Sequence, residues 1–187
     1  MTIPLALALA VVVLALLWVV ALFNGLIRLR NTGNNAWSDV DVHLKKRHDL
    51  VPNLVEVVKG YAKHERQALE SVVAARRQAQ GAASPEARIS AENSLSDNLG
   101  RLMALAEAYP DLKANRGFLE LQADLIRIEN DVANARRYYN AVVRDFNMKQ
   151  QLFPANLLAG ALGFEARPFF QAQASEREAV RVQVQTE

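Results

Sequence analysis

Residues 118–146 read FLELQADLIRIENDVANARRYYNAVVRDF. Within them Phe118, Leu121, Leu125, Ile128, Val132, Ala135, Tyr139, Val142 and Phe146 follow one another at alternating steps of three and four. This 3.5-residue repeat, sustained over four heptads, is the seam of a helix packed at a shallow angle, as in a coiled coil or a helical bundle. The pattern predicts one long helix over about 113–152. No stretch between 24 and 150 alternates apolar and polar residues with period two, which argues against a sheet.

Working outward, the prolines at 52, 85, 110 and 154 divide the chain into stretches rich in Ala, Leu, Glu, Arg and Gln. Those residues favour helix, whereas proline breaks a helix interior and is accepted in its first turn. Further helices are therefore expected over about 24–49, 52–80 and 85–109. Ser84-Pro85-Glu86 is the strongest start signal, with a capping hydroxyl, a proline in the first turn and an acid at the positive end of the helix dipole. Short joints make successive helices antiparallel neighbours. The expected fold is all-α: an antiparallel up-down-up-down four-helix bundle over 24–152.

Ahead of it lies Leu5–Phe23, LALALAVVVLALLWVVALF, with no polar side chain. Nineteen helical residues reach roughly 28 Å, about the thickness of a bilayer's hydrocarbon core. A secretory signal competes with this reading, but no Lys or Arg precedes the run and the run is longer than a signal's apolar region. Residues 1–23 are thus read as a transmembrane anchor, continuous or nearly so with the first bundle helix. Arg28, Arg30, Lys45, Lys46 and Arg47 all follow the span. The positive-inside tendency then places the N-terminus outside and the bundle in the cytoplasm, as a single-pass protein.

The fourth helix should return toward the bilayer, leaving the uncharged segment 153–164 near it. Phe153, Leu157, Leu158, Leu162 and Phe164 are the candidate membrane contacts there; the alternative is that this segment caps the bundle's open end. Residues 165–187 read as a polar, mobile tail, in which VRVQVQ from Val180 alternates like a strand able to extend a partner's sheet.

Composition narrows the chemistry. The 187 residues are 51% apolar and carry 22 basic and 20 acidic side chains. A net charge of +2 gives no reason to expect nucleic acid as partner. The absence of cysteine excludes disulfides, thiolate zinc sites and a cysteine nucleophile. His43 and His48 are five apart rather than the four of a helical metal pair, and His64 stands alone. All three read as surface or capping residues. Glu129-Asn130-Asp131 is a lone acidic cluster, and no phosphate-binding glycine loop occurs. No catalytic residue, cofactor or metal is nominated, and a metal-dependent hydrolase is a minor alternative. Trp37, Lys45, Lys46, Arg47 and His48 on the first helix, with Arg136 and Arg137 on the fourth, are the candidate protein-interaction residues. Ala6/Ala10 and Ala21/Gly25 are small-xxx-small pairs that would permit a homo-oligomer.

One block carries a resemblance. Residues 37–65, WSDVDVHLKKRHDLVPNLVEVVKGYAKHE, resemble the signature of the bacterial LemA family. YPDLKAN at 109–115, FLELQ at 118–122, ARRYYN at 135–140 and FPAN at 153–156 match it in order. The resemblance implies an N-terminally anchored, mostly helical bundle without an established catalytic set. It also implies association with membrane protein quality control, beside HtpX-like proteases. Thr32-Gly33-Asn34-Asn35 departs from the family's more helix-favouring stretch and is expected to loosen the first helix there. The leading reading is a non-enzymatic, membrane-tethered scaffold or adaptor. The alternative is a lipid-binding or membrane-shaping protein acting through 153–164.

Overall fold

The computed structural model describes residues 2–170. The expected strand from Val180 onward, and the tail beyond residue 170, lie outside them. The described chain is all-helical, without a strand. Its elements are α1 (Thr2–Tyr61), α2 (Arg66–Gly81), α3 (Pro85–Ala106), α4 (Pro110–Lys113), α5 (Arg116–Gln151) and α6 (Ala155–Leu158).

Two boundaries differ from those expected. Pro52 does not separate helices; it lies inside α1, which continues for nine more residues to Tyr61. Proline at position 52 leaves the carbonyl of residue 48 without its helical donor. Arg76 on α2 supplies another, its Nε donating to the His48 carbonyl at 2.7 Å. The real break falls at 62–65, where Ala62 still donates to Val58 and the chain turns into α2. The long helix also starts three residues later than expected. Tyr109-Pro110 opens the single turn α4, and Asn115 then caps α5 by accepting from the Phe118 amide at 3.0 Å.

The start of α3 follows its sequence signal: Ser84 Oγ accepts from the Ala87 amide at 3.1 Å, with Pro85 in the first turn. The heptad seam of α5 also faces inward as read. Phe118, Leu125, Val132, Tyr139, Val142 and Phe146 are buried.

The described chain forms two compact units, and α1 and α5 contribute to both. The first takes residues up to 45 together with 128–169. Its part of α1 is largely exposed and apolar at the start and buries Leu26, Ala36, Val40 and Leu44 further on. At one point of this unit Leu26, Phe146, Ala159 and Phe164 form a common cluster with Leu22 and Leu29 against it. The second unit takes residues 46–127. Its core draws Val51, Leu54 and Val58 from α1, Leu69 and Val72 from α2, Leu95, Leu99 and Leu102 from α3, and Phe118 and Leu125 from α5.

The Thr32–Asn35 stretch stays helical within α1. Thr32 Oγ1 donates to the Arg28 carbonyl at 3.0 Å and Ser38 Oγ to that of Asn34 at 3.1 Å, so the hydroxyls turn onto their own helix. Arg167 lies over this stretch: its Nη2 donates to Asn34 Oδ1 at 2.5 Å, and its Nη1 would stand 2.8 Å from a Cβ at Gly33. The stretch carries Arg167 and is not a loose joint.

Candidate functional site

Arg47 and His48 do not face solvent. Both lie inside the second unit around Glu92, which is 0% exposed. Glu92 sits three residues before Leu95 and seven before Leu99, so it occupies a core register of α3. Three basic side chains converge on it. Arg47 Nη2 donates to Oε2 at 2.5 Å, His48 Nε2 lies 3.0 Å from Oε1, and Arg88 Nε donates to Oε1 at 2.9 Å. Arg47 Nη1 also reaches Ser96 Oγ at 2.6 Å. Burial by itself would raise the Glu92 carboxyl, but the His48 hydrogen bond and the Arg47 charge outweigh it and bring its pKa down to about 2. A buried carboxylate so matched is satisfied, and its neighbours hold the unit together instead of meeting a partner. Among the described residues no group of three or more acidic and histidine side chains stands ready for a metal ion.

The other candidate interaction residues, and the two remaining histidines, separate by environment. Trp37 is half-buried and packs edge-on against Tyr139, with ring centroids 5.3 Å apart. His43 is partly covered and its Nδ1 lies 3.6 Å from Asp131. Arg136 is half-buried, and Arg137 is exposed and donates to Asn134 within α5. Lys45, Lys46 and His64 are exposed.

The 153–164 segment divides in two. Phe164 is not an outward contact: it is buried, edge-on to Phe23 at 5.8 Å and to Phe146 at 6.3 Å, with the Arg30 guanidinium 5.6 Å above its ring. Gly163, at φ 73°, makes the turn that brings it inward. The following chain is pinned along α5, because Asn147 Nδ2 donates to the Arg167 carbonyl and Asn147 Oδ1 accepts from the Arg167 amide, both at 2.9 Å. Tyr139 adds a hydrogen bond to the Pro168 carbonyl at 3.2 Å.

The rest of the segment points out. Phe153 is 78% exposed and Leu157 67%, and Leu152 and Met148 beside them are also exposed. Leu162 lies at the surface and Leu158 is half-buried. This patch adjoins the end of the apolar stretch of α1. A groove of about 590 Å³ runs between Trp18, Ala21 and Leu22 on one side and Met148, Leu152 and Phe153 on the other. Exposed apolar side chains thus gather at the level where the apolar stretch of α1 ends. Met148, on the outer face of α5, and Leu152, just past its end, carried no sequence signal because neither belongs to the heptad seam. Arg167 and Arg76 carried no local signal; their partners, Gly33 in a helix and the orphan carbonyl before Pro52, did.

The LemA family model matches residues 36–184. The chain belongs to the LemA family. It is similar to Protein LemA of Metamycoplasma hominis, with 26% identity over 155 residues, covering 82% of this chain and 71% of that one. It is also similar to Magnetosome protein MamQ 2 of Paramagnetospirillum magneticum, 31% identical over 86 residues. That match takes in 46% of this chain but only 32% of the relative, so the chain spans about a third of its length. Magnetosome protein MamQ of Magnetospirillum gryphiswaldense is 24% identical over 197 residues, covering 89% of this chain and 72% of its own. The block at 37–65 that carried the resemblance lies inside the matched region, and this LemA-family protein places two of that block's basic residues, Arg47 and His48, in its core.

Proposed function

We propose that this protein is a membrane-tethered helical adaptor, without catalytic activity of its own, that binds other membrane or membrane-associated proteins. One observation carries the reading. A single helix, α1, is apolar and exposed over residues 5–23 and then, without a break, supplies the core stripe of the first unit. A body rigidly continued from its anchor holds its exposed faces at a set height above lipid, which raises their effective concentration toward membrane partners. In this reading the long helices α1, α2, α3 and α5 act as the rods of an antiparallel bundle. The anchor crosses the bacterial inner membrane once with its N-terminus outside, and the bundle is cytoplasmic. Of the basic residues singled out in the sequence, Lys45, Lys46 and Arg137 are exposed and available to a partner's surface. Family context favours a partner in membrane protein quality control, including an HtpX-like protease.

The apolar patch supports a second reading, lipid contact through Leu152, Phe153 and Leu157. Burying a Phe or Leu side chain contributes about 1.5–3 kcal/mol, enough to seat the patch in the interface beside Trp18. The test separates the two readings. Crosslinking in cells, with partner identification, is compared for the intact chain, for a chain whose residues 5–23 are exchanged for an unrelated transmembrane helix, and for Phe153→Ser/Leu157→Ser. The adaptor reading expects the same partners in all three. Partners lost with the exchanged anchor, or lipid effects lost in the double variant with no partner in any chain, would count against it.

A further inference from the structure

The turn from α1 into α2 forms an open groove of about 640 Å³ within the second unit. Its floor is apolar, made by Val55 of α1 and by Leu69, Val73 and Ala74 of α2. Its rims are basic: Lys59 and Lys63 on one side, Arg66 and Arg77 toward the two ends of α2, with Glu70 as the one carboxylate. Positions 66, 70, 73 and 77 recur at helical spacing and share a face, so the α2 wall is about 16 Å long, three helical turns. All four cations are exposed. Lys59 has only an exposed pairing with Glu56 at 3.8 Å, which stabilises little. Lys63, Arg66 and Arg77 form no ion pair among the described residues.

Four cations around an apolar floor call for an apolar ligand edged with negative charge. We propose that this groove docks an acidic amphipathic helix of a partner protein. Such a helix lays a ridge of apolar residues at i, i+3/i+4 and i+7 on Val55, Leu69, Val73 and Ala74, and sets Asp or Glu against both rims. The spread of charge favours a helix over an anionic lipid. A phosphate headgroup is held by cations that converge on one point, and an acyl chain by an enclosed tunnel. Here the cations are distributed along three turns and the groove is open. Net positive charge on the rims also steers an acidic partner toward it and repels a basic one. The inference rests on the adaptor reading and names the chemistry of its partner.

The test uses the full chain in its native membranes. Photoreactive benzoylphenylalanine replaces Ala74 in one version and, outside the groove, exposed Ile126 in another. Adducts are mapped to the crosslinked peptide by mass spectrometry. The expected adduct at Ala74 is a helical peptide of another protein with acidic residues flanking an apolar stripe. Its yield should fall at least tenfold in Arg66→Glu/Arg77→Glu, while the Ile126 adducts of the same variant stay constant and so report an intact fold. A lipid adduct, a second copy of this chain, a peptide without flanking acids, or a yield insensitive to charge reversal would overturn the proposal. Protein adducts at Ile126 with none at Ala74 would remove the groove and leave the adaptor reading in place. No protein adduct at either position would remove both.

Discussion

Arg76 and Pro52 should be energetically coupled, although their side chains have different jobs. Proline inside a helix costs about 3 kcal/mol relative to alanine, partly through the lost i→i−4 hydrogen bond. In α1 the acceptor stranded by that loss is the His48 carbonyl, and Arg76 Nε meets it at 2.7 Å. A hydrogen bond from a charged donor contributes about 1.5–3 kcal/mol. Arg76→Met keeps most of the aliphatic stem and removes the donor, so it should cost about 2 kcal/mol in the native background. In Pro52→Ala the alanine amide returns to the His48 carbonyl, and the same Arg76→Met change should then cost less than about 1 kcal/mol. The cycle therefore yields a coupling of roughly 1–2 kcal/mol, well above the few tenths expected for independent sites.

The assay is urea unfolding of the four proteins in detergent micelles, followed by far-UV circular dichroism. Near the thermal midpoint, 2 kcal/mol corresponds to about 4–8 °C for a chain of this size, which gives a second reading of the same quantity. Additive effects, with Arg76→Met equally costly in the native chain and in the Pro52→Ala background, would refute the claim that Arg76 is what lets α1 pass through a proline.

Three further outcomes are expected. Because the folded pKa of Glu92 is depressed from 4.5 to about 2, its contribution is complete above about pH 4.5 and is lost as the pH falls toward 2. The contribution is at most about 3 kcal/mol, and urea midpoints measured between pH 6 and pH 2.5 should show this loss in the native chain and lack it in Glu92→Gln. Asn147→Ala removes both bonds to the Arg167 backbone, so exchange of the Arg167 amide should quicken about five- to tenfold for a bond of roughly 1 kcal/mol; an unchanged rate would show that Arg167 is held by its side chain alone. Spin labels at Phe153 and Leu157 in lipid vesicles should be relaxed more strongly by oxygen than by a water-soluble nickel chelate, whereas labels relaxed chiefly by the chelate would remove lipid contact from the 152–157 patch.

What could be read from the sequence was what depends on periodicity and on local capping. The α5 seam needed only the recurrence of apolar residues at 3.5, and its members from Phe118 to Phe146 turn inward as that recurrence requires. Ser84-Pro85 closes its cap within four residues, so no distant partner could alter it. Pro52 is the counterexample. Its local rule predicts a break, and the rule fails because a side chain 24 positions later, on another helix, answers the stranded carbonyl. Positions of that kind are invisible until the helices are packed.

The same reasoning explains why the basic run Lys45–His48 reads as surface. An unpaired buried charge is costly, and the groups that offset that cost for Arg47, the Glu92 carboxylate and the Ser96 hydroxyl, lie on α3. The clue was present in the other half of the pairing, since Glu92 falls on the stripe shared by Ile89, Leu95, Leu99 and Leu102 where an apolar residue is due. A carboxylate at a core register demands a buried cation, and the run Lys45-Lys46-Arg47-His48 contains, beside two exposed lysines, the arginine whose planar fork can meet it. Two exceptions to binary patterning, one acidic and one basic, on different helices of one unit are thus better read together, as a prediction of contact, than separately as surface charge.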